Sequence, residues 1–174
     1  MLYIKEANYD DIEQEWQFVR SMPVDENGLT NPYHNISKDD FEQKALPEMI
    51  GFAKGENLPE GYVPVTYFFL WSKDVIVGQF RVRHYLTDAL RAGAGHIGYF
   101  IAKEYRGQGF ATEGLRLTLD VAKHIIPEKE FYLRVNKDNP ASLQVMLKNG
   151  GTIVEEDKIN FYVRIHKPIE NKNE

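Results

Sequence analysis

The stretch from His96 to Val135 constrains the fold of this chain more than any other. Within Gly109–Ile126, residues Ala111, Leu115, Thr118, Leu119, Ala122, Ile125 and Ile126 fall on one helical face, and Pro127 ends the pattern. The flanking segments, His96–Ala102 and Phe131–Val135, read as strands. A helix joining two strands of one sheet is a crossover, and crossovers connect parallel strands. These two, the fourth and fifth strands in order, are therefore expected to run parallel.

The remaining segments supply partners for this unit. Leu2–Glu6 reads as a first strand. Asp10-Asp11-Ile12-Glu13 has the form of a capping box, opening a helix from about Asp11 to Ser21 with Ile12, Trp16 and Val19 at helical spacing. Met22–Asn35 is a long loop, marked by Pro23, Asn27-Gly28 and Asn31-Pro32. Ser37 caps a second helix with Phe41, Ala45 and Met49 on one face. Val65–Trp71 and Val75–Tyr85 form a β-hairpin across Ser72-Lys73-Asp74, and Leu86–Gly95 is a loop. Asn139-Pro140 opens a further helix that stops at Asn149-Gly150-Gly151. Thr152–Glu155 and Asn160–His166 are the last strands. The expected fold class is α+β: a mixed, mostly antiparallel sheet with helices on both faces. It forms a single domain over residues 1–167, with a polar tail at 168–174.

Composition narrows the chemistry. The chain has no cysteine, which excludes disulfides, zinc-thiolate sites, Fe–S clusters and a cysteine nucleophile. A net charge of −5 argues against nucleic-acid binding through phosphate contacts. The apolar run Val63–Trp71 is broken by Pro64 and Thr66 and is too short to span a membrane. Met1–Glu6 lacks the pattern of a signal peptide, so a cytoplasmic protein with neither nucleic-acid nor membrane partners is expected.

The functional signal lies where the strand ending at Ala102 passes through Arg106-Gly107-Gln108-Gly109-Phe110-Ala111 into the long helix. Glycines let the backbone approach a ligand, and a helix start offers unpaired N–H groups and partial positive charge. Together they suit a phosphate or pyrophosphate. The loop is neither a Walker A motif nor a dinucleotide fingerprint, because no Gly-Lys-Ser/Thr follows and Thr112 stands where a third glycine would. It resembles the acetyl-CoA loop of the GCN5-related N-acetyltransferases (GNAT), whose Arg/Gln-x-x-Gly-x-Gly/Ala pattern it fits at every fixed position. Asn136-Lys137-Asp138-Asn139-Pro140-Ala141-Ser142, followed by Lys148-Asn149-Gly150-Gly151, resembles the family's second signature.

The resemblance implies a fold in which strands four and five are parallel but splayed. It implies acetyl-CoA as co-substrate, no metal, and transfer of acetyl to a primary amine of a small molecule or peptide. The backbone of Tyr99, Phe100, Ile101 and Ala102 would pair with the pantetheine arm. Arg106, Gly107, Gln108, Gly109, Phe110 and Ala111 would hold the pyrophosphate, and Asn136, Asn139 and Ser142 would line the far side. The positions where the family carries a general base are here Gly95 and Ile97, and the position of its common acid is Met146. His96, His84 and Tyr99 are the candidates left for proton handling. A non-catalytic acyl-CoA-binding module and an unrelated nucleotide-phosphate binder stay open beside the transferase. Asp25, Glu26, Glu56 and Glu60 would give acidic walls suited to a cationic amine, and a monomer and a homodimer are equally compatible with the sequence.

Overall fold

Val65–Trp71 is apolar at almost every position because the strand it forms is covered on both faces. A computed structural model describes residues 1–169; residues 170–174 of the expected tail lie outside them. The elements are β1 (Leu2–Glu6), α1 (Ile12–Ser21), β2 (Asp25–Glu26), β3 (Leu29–Thr30), α2 (Lys38–Asp40), α3 (Leu46–Ala53), β4 (Val65–Ser72), β5 (Val75–Arg83), α4 (Asp88–Ala92), β6 (Ile97–Ile101), α5 (Phe110–Ala122), β7 (Glu130–Asn136), α6 (Pro140–Lys148), β8 (Thr152–Glu156) and β9 (Asn160–His166). Helices α2 and α3 are joined through one π-helical segment, Phe41–Ala45. Among the described residues no helix is long and apolar enough to cross a membrane.

Strand β4 lies inside an antiparallel sheet of order β1-β4-β5-β6. Its Phe68 and Leu70 enter one core with Phe80, Leu115 and Ala122, while Phe69 and Trp71 enter a second with Phe18, Phe41 and Met49. Alternation along the strand thus supplies both faces, and α5 covers one while α1 and α3 cover the other.

The expectation of one continuous sheet is corrected. Strands β7, β9 and β8 form a separate antiparallel sheet, and β6 has no ladder with β7. Among the described residues one isolated bridge joins them, Gly95–Leu133, of antiparallel geometry. Gly95 is left-handed (φ 67°), and a Cβ there would stand 2.2 Å from Tyr132 O. Only glycine turns the chain this close to β7. Beside the bridge His96 meets Tyr132, and Tyr99 reaches Ser142 beyond the end of β7.

Three local features also differ from expectation. The helix start is capped by Asn8, whose side chain accepts from the N–H groups of Asp10 and Asp11, so the acidic pair is not the cap. The Met22–Asn35 loop contains the β2–β3 hairpin, turned at Asn27-Gly28 with both residues at positive φ. The Leu86–Gly95 loop contains α4, capped by Thr87.

His96 joins the sheets. Its ring is fully buried, Nδ1 accepts the Tyr132 N–H at 2.9 Å, and Nε2 donates to Glu128 Oε2 at 3.1 Å. Burial holds its pKa below the ordinary 6.5, with Glu128 opposing. The neutral ring's stabilisation is therefore complete above that value and is lost as pH falls. His96→Ala leaves a cavity and orphans the Tyr132 N–H, and chemical denaturation should show a loss of about 2–4 kcal/mol.

Glu15 carries the opposite dependence. It is fully buried in α1, with Oε1 accepting the Asn8 N–H at 3.0 Å and Oε2 without a partner. Burial raises its pKa from 4.5 to about 8, against the Asn8 hydrogen bond. The folded state then binds this proton more tightly than the unfolded chain. Stability is full below the unfolded pKa and falls as pH rises through about 8, with a limiting slope of about 1.4 kcal/mol per pH unit. Denaturation across this range should show the fall, and Glu15→Gln should flatten it.

Candidate functional site

Because β6 ends its sheet, its edge facing β7 from Ile97 to Ile101 has no ladder partner among the described residues. The gap between the two strands opens into a cleft of about 840 Å³, within the range of small-molecule sites. Tyr99, Phe100 and Ile101 line one wall, and Asn136, Asn139 and Ser142 line the other. Arg106, Gly107, Gly109, Phe110 and Ala111 lie at the rim where α5 begins. The structure thus brings most of the expected residues together. Ala102 and Gln108 do not line the cleft.

The rim is built for an anion. Gly107 and Gly109 are both left-handed, at φ 73° and 78°, and the space a Cβ would occupy on either is empty. Gly109 is the N-cap of α5 and has no side chain to satisfy the first-turn N–H groups. These donors and the positive end of the helix face open space. Arg106 is already engaged: Nε donates to Ile101 O at 2.8 Å, and Nη2 lies 2.7 Å from Glu26 Oε2. The side chain ties the phosphate-type loop to the β2–β3 hairpin.

Across the cleft, Asn139 caps α6 by accepting the Ser142 N–H at 3.3 Å, and Asn136 accepts the Asp138 N–H at 2.8 Å. Tyr99 braces the two walls. Its hydroxyl lies 2.6 Å from Ser142 Oγ and donates to Ser142 O at 3.1 Å, while its ring stacks on Phe80. Burial pushes its pKa up to about 12.

The proton-handling candidates fare differently. His96 is enclosed between the sheets and does not line the cleft. His84 lies just beyond β5 with Nε2 2.7 Å from Thr66 Oγ1, also outside the cleft, and burial lowers its pKa. Neither histidine side chain lines the cleft. Met146 is buried in the core and contributes no proton. Of the four acidic residues expected at the acceptor, Asp25 and Glu26 line the cleft, Glu26 paired with Arg106, while Glu56 and Glu60 do not.

The lining residues not anticipated from the sequence include Arg83 and Arg134. Strand parity carries the signal that finds them. Arg81 and Arg83 alternate with buried Phe80 and Val82, and Arg134 and Asn136 alternate with buried Leu133 and Val135. Both pairs therefore share the face opposite α5.

Residues 4–152 match the model of the acetyltransferase (GNAT) domain. A comparison with curated proteins finds no match. Among solved structures, the chain is similar to RimL, a ribosomal L7/L12 α-N-protein acetyltransferase in complex with coenzyme A. The two are 18% identical with a TM-score of 0.66, over 95% of this chain and 94% of that one. It is also similar to Campylobacter jejuni N-acetyltransferase PseH in complex with acetyl coenzyme A, at 16% identity and TM-score 0.61, over 97% and 100% of the respective chains. The third is Vibrio cholerae spermidine N-acetyltransferase in complex with CoA and spermine, at 17% identity and TM-score 0.60, over 95% of each chain. With the domain model matched over most of its length and this fold around the cleft, the chain belongs to the GNAT acetyltransferase family.

Proposed function

We propose that this protein transfers an acetyl group from acetyl-CoA to the primary amine of a small molecule or peptide, in the cleft between β6 and β7. One observation carries the reading: an unpaired strand edge is followed, one turn later, by an uncapped helix start with two left-handed glycines. An elongated ligand with a pyrophosphate at one end and amides along its arm matches that combination. The backbone from Gly107 to Ala111 would hold the pyrophosphate. The free edge of β6 at Tyr99 to Ile101 would pair with the arm as an added strand does. Asn136, Asn139 and Ser142 would line the opposite side. When bound, acetyl-CoA supplies a thioester: the amine nitrogen bonds to the carbonyl carbon, the carbon–sulfur bond breaks, and CoA leaves as the thiol.

An aliphatic amine with a pKa near ~10.4 must lose a proton before it attacks, which costs about 4–5 kcal/mol at pH 7. No imidazole lines the cleft among the described residues. Asp25 accepts the Gly28 N–H at 3.1 Å, and Glu26 is bound to Arg106. The neutral amine is therefore drawn from solution, and nearby Arg83 and Arg134 disfavour its protonated form. With no titrating base, kcat/KM should climb about tenfold per pH unit toward the acceptor's own pKa, without an inflection near 6.5. A pH–rate profile measures this directly.

That no imidazole lines the cleft among the described residues also favours a second reading, binding of acyl-CoA without turnover. Release of free thiol with an amine panel separates the two. Both readings require CoA to bind and raise the melting temperature. Gly109→Asp places a carboxylate where phosphate oxygens would sit, and losing two hydrogen bonds to a charged group weakens binding about a hundredfold or more. The strain of a side chain at positive φ is about 1–2 kcal/mol, and the open space around Gly109 adds no clash, so the fold should survive. Gly109→Ala should be intermediate. Calorimetry with CoA, alongside circular dichroism, checks both variants; unchanged affinity in a folded Gly109→Asp protein removes the loop from the site.

A further inference from the structure

The acceptor end of the cleft carries positive charge that the fold itself does not neutralise. Arg81 and Arg83 lie on one face of β5, and Arg134 lies on the matching face of β7. None of the three is within 4 Å of a carboxylate among the described residues, whereas Arg106 and Arg116 each have an acidic partner. Arg81 is held by neutral oxygens, Gln79 Oε1 at 2.8 Å and Thr30 O at 2.6 Å. Arg83 donates to Gly95 O at 3.3 Å, and Arg134 Nη1 stands 3.8 Å from where a Gly93 Cβ would be. Both cleft-lining guanidinium groups therefore border the short loop before β6.

Two carboxylates line the cleft, Asp25 and Glu26: Asp25 accepts the Gly28 N–H at 3.1 Å in the β2–β3 turn, and Glu26 is bound to Arg106. Glu48 accepts the Tyr33 hydroxyl at 2.8 Å, Glu128 holds His96, and Asp157 accepts the Tyr162 hydroxyl at 2.6 Å. Burial pushes the pKa of Arg83 down, and the charges of Arg81 and Arg134 push the same way. A chain of net charge −5 thus concentrates unpaired cations in a cleft. Grouped like charges cost stability and suit a site that receives an anion.

That anion is not the cofactor's pyrophosphate. Arg83 N donates to His96 O just before β6, whereas Gly107 and Gly109 follow its far end. A five-residue strand spans about 16 Å, so the two positive regions are separate.

We propose that the acceptor is an amine whose skeleton also carries an oxyanion, a carboxylate or a phosphate, which Arg83 and Arg134 hold at this end of the cleft. Guanidinium groups match both oxyanions through paired N–H donors. Anchored there, the acceptor presents its amine toward the middle of β6. A polycation such as spermidine is repelled by the same charges. The proposal rests on the transferase reading for the fate of the amine, but anion binding stands apart from it.

The test uses one two-carbon amine skeleton with three ends: β-alanine, 2-aminoethyl phosphate and neutral ethanolamine, with spermidine as the cationic control. Each is titrated calorimetrically into protein saturated with CoA, and each is assayed for thiol release with acetyl-CoA. At least one anionic probe should bind and react at least tenfold better than ethanolamine, and which one does identifies the oxyanion. Exposed Arg134 is changed first: Arg134→Gln should remove that preference while CoA affinity stays within twofold, and Arg134→Lys should restore part of it. Arg83→Gln provides a second variant on the other wall. Ethanolamine or spermidine binding as well as the anions, an equal loss for all probes in Arg134→Gln, or no binding of either anion at millimolar concentration overturns the proposal. Anion binding lost in Arg134→Gln but without thiol release from any amine upholds the site and overturns the transferase reading.

Discussion

The separation of β6 from β7 is the constraint on which the rest of this molecule depends. Paired strands would leave no cleft, and strands parted without support would leave backbone groups exposed along both edges. The gap is held open from its two ends. At one, Gly95 turns left-handed against Tyr132 and the buried His96 ring bonds across to β7. At the other, the Tyr99 hydroxyl reaches the first turn of α6 at Ser142. Beneath both, α5 packs Leu115 and Ala122 into a core shared by side chains of both sheets. The sheets are therefore parts of one packed body while their facing edges stay apart.

Much of this was legible in the sequence wherever a segment's chemistry is satisfied locally. Asn139-Pro140 caps and opens a helix whatever surrounds it, and the α5 stripe and the β4 run follow burial directly. What escaped is set by distant partners. Asn8 rather than Asp10 caps the first helix because the turn at Tyr9–Asp11 precedes it and Glu15 folds back onto Asn8. Short α4 and the β2–β3 hairpin contain too few residues to show periodicity. His96 is a reasonable base by residue type, and only the left-handed Gly95 beside it reveals that the ring is turned between the sheets. The glycine loop was readable as a motif. The two arginines lay on strands whose alternation was visible, but their convergence depends on the gap itself.

The cleft joins two electrostatic environments of like sign with different origins. At the rim, the positive potential comes from backbone N–H groups and a helix dipole, a source that does not titrate. At the opposite end it comes from side-chain guanidinium groups, which stay charged throughout the ordinary pH range. Neither end relies on an imidazole, so the field in the cleft changes little where histidine would switch. The acetyltransferases compared above act on different acceptors, a ribosomal protein in one and spermidine in another, on folds similar to this one. Specificity in such a scaffold resides in a few side chains along the strand faces.

The ion pair between Arg106 and Glu26 has a consequence for how the halves of the cleft communicate. It fastens the glycine loop to the β2–β3 hairpin, two segments far apart in sequence and otherwise held by separate elements. If CoA and an acceptor bind as proposed, a ligand that orders the loop would order the hairpin with it, and the second would meet part of its site already ordered. Linkage makes that assistance mutual: the factor by which one ligand tightens the other is the same in either order of arrival. Because the pair is partly exposed, added salt weakens the tether. The two binding events then drift toward independence as ionic strength rises.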